Sequence, residues 1–308
     1  MHLDELRELL VRHARADRST DIEGVRVSKF ESPYPPTPTT TGTVMALIAQ
    51  GTKRLTLGDR EYEYRAGQYL VASVDLPITG NFSEASPQEP ALGLGLTLEP
   101  AEAADLLLSD PGPEAARGSD DARRLSAGPP PGIAVSYAPP ELLDAVVRLL
   151  RLLDRPRDRA VLAPLVKREI LWHLITGEQG ETVRQLGLAD SGLNTIARTV
   201  HWIRDHYAEP FRVEDLARLA GLSVSAFHRQ FHTVTAMSPI QYQKQIRLQE
   251  ARRMLATRSG DVTGVSLLVG YASPSQFSRE YRRLFGTAPS QDAAHLSLSD
   301  RARTAALP

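Results

Sequence analysis

Hydrophobic positions follow a two-residue period between Val44 and Leu98, which indicates β-strands. In TKRLTLGDREYEYRAGQYLVAS the apolar residues alternate with polar ones on both sides of Gly58-Asp59, a pair suited to a two-residue type II′ hairpin turn. Gly67 marks a second turn, and two more short apolar segments follow it. Several short strands at this spacing predict a small antiparallel barrel or sandwich.

A helical period replaces this pattern towards the middle of the chain. PPELLDAVVRLLRLLD and RAVLAPLVKREILWHLITGE carry aliphatic residues at helical spacing, and they predict two helices that pack internally or form a dimer seam. LNTIARTVHWIRDHYAEP is predicted to be one amphipathic helix that Pro210 ends. Residues 111–140 are rich in Gly, Pro, Ala and Ser, which predicts a loop-rich boundary with one late strand, GIAVSY.

A weak internal repeat occupies the last hundred residues. VEDLARLAGLSVSAFHRQF begins at Val213, and VTGVSLLVGYASPSQFSREY begins at Val262. Each copy reads as an apolar helix, a glycine, a short turn with serine and a second helix, which is the helix-turn-helix arrangement. The second copy carries one extra residue in its turn. The segment between the copies, PIQYQKQIRLQEARRML, is predicted to be a connecting helix.

The second helix of each copy has a polar outer face suited to DNA. Aromatic residues of the second copy are predicted to face inward, which leaves polar and basic positions facing outward. Arginine bonds guanine bidentately and glutamine bonds adenine bidentately, whereas arginines one turn later suit phosphates. The candidate DNA-binding residues are Ser225, His228 and Arg229 in the first copy, and Ser275, Gln276, Ser278, Arg279, Arg282 and Arg283 in the second. A solvated helix face is the alternative for each; the recurrence of arginine at 229 and 279 favours DNA contact.

Charge and composition support a polyanion partner for the C-terminal part only. The net charge is −1, but residues 200–308 hold 14 Lys/Arg and 9 Asp/Glu, whereas the remainder holds 22 and 28. The chain has no cysteine, which excludes disulfides, thiolate nucleophiles and cysteine metal sites. No apolar run of about 18 residues occurs, and the N-terminal amphipathic segment lacks the apolar run of a signal peptide. We therefore expect a cytoplasmic protein without a membrane partner.

The motif VGYASPSQFSREYRRLFGTAP closely resembles the DNA-binding domain of AraC/XylS-type transcription regulators. The resemblance implies two helix-turn-helix units joined by a central helix at about residues 240–256, with both recognition helices in successive major grooves. It also implies that the outward residues of these helices read bases. By the order of its elements, the N-terminal part resembles the cupin-like small-molecule sensors of the same family.

The predicted barrel has no imidazole ligand for a transition metal, because no histidine lies between His13 and His173. We therefore predict no cofactor, no metal site and no enzyme activity. A metal-free effector pocket remains, and Tyr62, Tyr64 and Tyr69 either line it or belong to the ordinary core.

Together these features predict an α+β protein with an N-terminal small antiparallel β-barrel (cupin-like), a helical linker and an all-α double helix-turn-helix domain. The predicted domains are 1–138 for the helix and sensor, 139–190 for the linker, 191–298 for DNA binding and 299–308 for a tail. We expect a sequence-specific transcription regulator under effector control, with promoter DNA, a second copy of the chain and, if it activates, RNA polymerase as partners. Two alternatives stay open: a constitutive DNA-binding protein whose N-terminal half only dimerises, and a cupin-type enzyme with accessory DNA binding.

Overall fold

The computed structural model describes residues 2–109, 128–189, 191–257 and 261–296. The predicted tail, and residues 111–127 of the predicted loop-rich boundary, lie outside these ranges. The helices are α1 His2–His13, α2 Pro100–Ser109, α3 Pro140–Arg151, α4 Pro156–Thr176, α5 Gly180–Gly187, α6 Gly192–Asp205, α7 Val213–Leu219, α8 Val224–Thr235, α9 Pro239–Thr257, α10 Val262–Leu268 and α11 Pro274–Phe285. The strands are β1 Val25–Phe30, β2 Thr37–Thr40, β3 Val44–Gln50, β4 Thr52–Leu57, β5 Arg60–Arg65, β6 Gln68–Ala72, β7 Pro77–Phe82, β8 Ala91–Thr97 and β9 Ile133–Tyr137.

The strands form two antiparallel sheets, one in the order β1-β8-β3-β6-β9 and the other in the order β2-β7-β4-β5. The predicted small antiparallel domain and its late strand are confirmed, but within the described ranges the sheets do not close into a barrel. Tight glycine corners explain the separation. Gly51 and Gly67, with φ of +84° and +80°, turn the chain from β3 into β4 and from β5 into β6, and each turn changes the sheet.

The predicted hairpin lies at Gly58-Asp59, where a two-residue turn joins β4 to β5 and pairs Leu57 with Arg60. Alternation along β4 directs Leu55 and Leu57 into the protein, whereas Arg54 and Thr56 are exposed.

The linker helices pack onto the sheets as part of one core. α3 buries one side of its surface, including Leu142, Val146 and Leu149, and it lies beside α1. The same core continues into the first helix-turn-helix unit through Phe227 and Phe231, whereas the second unit has a smaller core of its own. The sheets, the linker helices and the first unit therefore share buried apolar surface.

The helix predicted to run up to Pro210 is shorter than expected, because α6 ends at Asp205. His206 leaves the helical conformation, and its ring stacks on Trp202 while its Nδ1 lies 2.9 Å from the Trp202 carbonyl oxygen. The turn that follows presents backbone carbonyls to α9, which a continued helix would have kept for its own hydrogen bonds.

Candidate nucleic-acid interface

Glycine turns of the same kind set the angle between the helices of each unit. Gly221 follows α7 with φ +67°, and Gly270 follows α10 with φ +86°. A Cβ at Gly270 would lie 2.1 Å from the Ala208 carbonyl oxygen, so this position requires glycine for two independent reasons. The N-cap serine of the second helix follows the glycine by two residues in the first unit, at Ser223, and by three residues in the second unit, at Ser273. This difference confirms the predicted extra residue.

A serine caps each recognition helix. The Ser223 hydroxyl accepts a hydrogen bond from the Ala226 amide, and the Ser273 hydroxyl accepts one from the Gln276 amide, both at 3.3 Å. Pro274 occupies the first turn of α11, where its missing N–H costs nothing. The two caps therefore start α8 and α11 in equivalent positions.

Aromatic anchors hold the recognition helices against the core, as predicted. Phe227 and Phe277 are fully buried at equivalent places in the two units. Tyr281 is also buried, and its hydroxyl donates to Asp292 Oδ2 at 2.7 Å, where Arg252 also donates through Nε at 2.8 Å. Burial and the Asp292 carboxylate raise the pKa of Tyr281, so this hydroxyl keeps its proton. Phe285 is half-buried beneath the Arg252 guanidinium.

All nine predicted DNA-binding residues lie on α8 and α11, and eight of them are exposed. The ninth, Ser278, is half-buried. The outer faces of both recognition helices are therefore open to solvent, as a base-reading role requires. The role of each residue stays a prediction.

Gln276 has a partner within the protein that the sequence reasoning missed. Its amide nitrogen lies 3.1 Å from Glu280 Oε1, and Glu280 also accepts from Tyr271 and from Lys244. These bonds lower the pKa of Glu280 against the opposing effect of its burial. The contact uses one of the two N–H groups of the Gln276 amide. The spacing of four residues on one helix was the available signal.

The central helix α9 connects the segment after α6 with the second unit through Arg247, which the sequence reasoning also missed. Its guanidinium donates to the carbonyl oxygens of Tyr207 at 2.6 Å, Ala208 at 3.1 Å and Gly270 at 2.9 Å. Burial lowers the pKa of Arg247, yet arginine stays charged in proteins. One side chain thus ties the end of α6 to the turn of the second unit.

The sheets contact the end of the first recognition helix rather than its outer face. The Gly132 amide donates to the Val234 carbonyl oxygen at 3.0 Å, and the Arg60 guanidinium donates to the Thr233 carbonyl oxygen at 3.2 Å. At the hairpin turn, a Cβ on Gly58 would come within 2.1 Å of the Ala236 carbonyl oxygen. These contacts leave Ser225, His228 and Arg229 uncovered.

Further contacts join the sheets to α6 and α9. The Tyr242 hydroxyl donates to the Asp75 carbonyl oxygen at 2.7 Å, and the Asp75 carboxylate pairs with Arg204. Gln249 of α9 contacts β2, because its Nε2 donates to the Thr39 carbonyl oxygen at 3.1 Å and the Thr40 hydroxyl donates to its Oε1 at 2.7 Å. Both β2 and the segment at Asp75 therefore contact the helix that lies between the two units.

A cavity of about 220 Å³ lies between the two sheets. Of the three tyrosines considered, Tyr64 lines this cavity; Tyr69 is buried elsewhere, beside Ser136, and Tyr62 is partly buried at the edge of the core. Within the described ranges, no three histidine, aspartate or glutamate side chains come together as a metal site. No helix in those ranges is both long and apolar enough to cross a membrane.

Residues 21–182 match the family described as the AraC-type transcriptional regulator N-terminus, and residues 216–294 match a helix-turn-helix domain family. The HTH-type transcriptional activator RhaS of Escherichia fergusonii is 31% identical over 150 residues, which cover 48% of this chain and 52% of that protein. RhaS of Klebsiella pneumoniae is 31% identical over 110 residues, which cover 35% of this chain and 40% of that protein. The chain thus spans about half the length of the curated relatives it matches.

Solved structures of ToxT from Vibrio cholerae share the fold. The apo form has a TM-score of 0.54 at 11% identity and covers 90% of this chain and 100% of that one. The wild-type form bound to an unsaturated fatty acid has a TM-score of 0.55 at 11% identity and covers 88% and 93%. At this identity the likeness concerns the arrangement of elements and nothing finer.

Proposed function

The chain belongs to the AraC-type transcriptional regulators, and we propose that it binds promoter DNA sequence-specifically through both helix-turn-helix units, under the control of a small-molecule effector held between its two sheets. The observation that carries the proposal is the pair of equivalent, uncovered recognition faces on α8 and α11. Each face has an arginine at the same place, Arg229 and Arg279. A cavity between the two sheets, in the part that matches the regulator N-terminus, supports the sensing role.

Within this proposal the outward residues divide by their place on the helix. Arg229 and Arg279 are each the sixth of the twelve residues of their helix, and both are exposed, so they are placed to meet base edges. Arg282 and Arg283 lie one turn later and suit phosphates, which fix position without reading sequence. Ser225, His228, Ser275, Gln276 and Ser278 complete the two faces.

Binding to the intergenic DNA upstream of the protein's own gene, measured against salt, tests the DNA-reading role. We expect Arg229→Ala and Arg279→Ala each to cost about 1–3 kcal/mol and to relax the preference for the specific site. Arg54→Ala is the matched control, because it removes one positive charge from an exposed strand of the sheet domain. Equal affinity of the wild type for specific and random DNA, or silence of both substitutions, would contradict the assignment.

Effector control would operate through the contacts that join the sheets to the DNA-binding helices. A ligand shifts an equilibrium only if it binds one arrangement of the domains better than the other. The Gln249 contact with β2 supports such a route, since Thr39 and Thr40 also line the cavity. Gln249→Ala is expected to leave DNA affinity without effector within about threefold, while reducing the change in affinity that an effector causes.

A fatty acid occupies the related ToxT structure, which supports small-molecule control of this chain as well. The constitutive alternative predicts no ligand response at all. A thermal-shift screen of the full chain with metabolites separates the two, because a ligand that binds the folded state raises its melting temperature by mass action.

We also expect a homodimer, formed by an apolar stripe on α4. Val161, Leu165 and Trp172 share one side of this helix at 67%, 59% and 37% exposure. The same apolar stripe on two copies of the chain can pack together across a two-fold axis, so we expect a second copy of the chain to cover it. Leu165→Glu should convert dimer to monomer in sedimentation experiments, whereas Val11→Glu, at an exposed apolar position on α1, should not. A wild-type monomer at all concentrations would exclude this seam.

Activation is the expected sign of regulation, because the RhaS relatives are named as activators. An activator of this kind would contact RNA polymerase. Deleting the gene should then lower expression from a reporter fused to the bound promoter, and a rise in expression would indicate repression instead.

A further inference from the structure

The size of the cavity between the sheets and the residues that line it restrict the class of ligand that it can bind. Apolar side chains line it together with polar residues that include Ser28, Thr39 and Thr40, and Gly95 on β8 leaves room in it. A Cβ built at Gly95 would meet no atom outside its own neighbours nearer than 3.8 Å. The cavity is somewhat larger than the roughly 150 Å³ that admits benzene. A ligand of roughly ten non-hydrogen atoms therefore fits.

The charged groups around this cavity are all positive. Arg18, Arg26 and Lys53 line it, and no aspartate or glutamate does. In the part of the chain that the structure describes, none of these three side chains has a carboxylate or hydrogen-bond partner. Most other basic side chains on the sheets and adjoining helices do have one; Arg54, next to Lys53, pairs with Glu63 at 2.7 Å. Three unpaired cations around one cavity form a field that attracts an anion.

Lys53 is the unusual member of the three, because it occupies an inward-facing position. It lies two residues before Leu55 on β4, and the register places Tyr64 and Phe82 directly beside it on the neighbouring strands. Its ammonium lies 5.5 Å from the centre of the Phe82 ring. Burial and the nearby charge of Arg18 lower the pKa of Lys53 to about 8. An inward lysine without an acid lowers the stability of the ligand-free protein.

Tyr64 supplies a second polar group at the same place. Its side chain is 1% exposed, and among the described residues its hydroxyl has no hydrogen-bond partner. Burial raises the pKa of this phenol, so the hydroxyl stays protonated and able to donate. This residue lines the cavity, so a ligand there can accept the hydrogen bond. Lys53 and Tyr64 are thus paired on neighbouring strands, and both line the cavity with a group that can donate a hydrogen bond.

The geometry points to a small organic anion as the ligand of this cavity: a carboxylate of roughly ten non-hydrogen atoms, held by the Lys53 ammonium and the Tyr64 hydroxyl. Its apolar body lies against Leu55, Ile78 and the glycines of β8. Arg18 and Arg26, both exposed, draw the anion to the opening. This inference rests on the proposed function, in which the cavity holds the effector.

Matched ligands test the charge preference directly in the full chain. Octanoate is compared with octanamide and octylammonium, and 3-phenylpropanoate with its amide, by calorimetric titration. We expect each carboxylate to bind at least about tenfold more tightly than its amide, with octylammonium weakest. The preference should disappear in Lys53→Met and fall severalfold in Tyr64→Phe, but persist in the outward-facing control Arg54→Met.

Other results would overturn the inference and separate it from the proposed function. Amides or the amine binding as tightly as the carboxylates would show a cavity without anion preference. No binding by any of these ligands would overturn the anionic assignment as well. The Gly95→Leu variant, whose side chain fills the cavity, tests separately whether the cavity holds an effector. Altered promoter output in this variant supports effector control even if the ligand is not an anion.

Discussion

Replacing Lys53 with methionine should stabilise the ligand-free protein, even though it removes a group that the ligand needs. The lysine faces inward without a carboxylate, and its pKa falls from 10.5 to about 8, first because of burial and second because of Arg18. A lowered lysine pKa means that the folded state disfavours the charged form relative to the unfolded state. Methionine keeps a similar length and apolar character without the charge.

The size of the effect follows from that pKa. At about 1.4 kcal/mol for each pH unit, the full difference corresponds to about 3 kcal/mol. Lys53 is only half-buried, and the ring of Phe82 offsets part of the cost, so we expect a gain of about 1–2 kcal/mol at pH 7. For a domain of this size the melting temperature should rise by roughly 2–8 °C.

The pH dependence gives the sharper test. Below pH 8 the lysine is charged in both states, so the penalty is fully present. Between pH 8 and about 10.5 the folded protein gives up the proton while the unfolded chain keeps it, and the wild type gains stability relative to the variant. Differential scanning calorimetry should therefore show that the stability gained by Lys53→Met over the wild type is less than half as large at pH 9.5 as at pH 7. Arg54→Met, which faces solvent, should show no such trend; a destabilised Lys53→Met, or a gain independent of pH, would refute the reasoning.

Three further outcomes follow from the DNA-binding domain. Gly270→Ala should destabilise the second helix-turn-helix unit by at least about 2 kcal/mol in denaturant unfolding, since φ is +86° and the new Cβ meets the Ala208 carbonyl. The control Gly128→Ala should show no such loss of stability, because a Cβ at Gly128 would meet no atom within 4 Å. Asp292→Ala should cost about 2–4 kcal/mol, because it leaves the buried Tyr281 hydroxyl and the Arg252 guanidinium without their acceptor, and an unchanged melting temperature would contradict that account. The logarithm of DNA affinity should fall linearly with the logarithm of salt concentration, and a flat profile would argue against the phosphate contacts.

The DNA-binding domain follows closely from local signals in the chain. Gly270, Ser273 and the aromatic positions of α11 each act within a few residues, through a left-handed turn, a cap and a helical face. These effects depend on short-range geometry, so the repeat predicts both units, the extra turn residue and the outward positions. The end of α6 is the exception: Pro210 is a local stop signal, but tertiary hydrogen bonds from Arg247 draw the chain out of the helix earlier.

The sheet domain depends more on contacts between distant residues. The two-residue period predicts strands and the Gly58 hairpin, but it does not distinguish a closed barrel from two open sheets, since that depends on which edges pair. Lys53 shows the same limit. The alternation along β4 places Lys53 on the same face as Leu55, which the sequence shows. Whether a carboxylate lies near Lys53 depends on which residues the neighbouring strands bring beside it.

By itself, the sequence determined the hairpin at Gly58, the helices of the two repeated units and the family resemblance, because periodicity, caps and turns are encoded by neighbours along the chain. Only the tertiary structure decided that Gln276 is engaged by Glu280, that the sheets meet the end of α8 and leave its outer face open, and that three cations surround one cavity. The physical reason is that pairing, burial and desolvation depend on groups brought together from distant parts of the chain, and no local pattern specifies which groups those are.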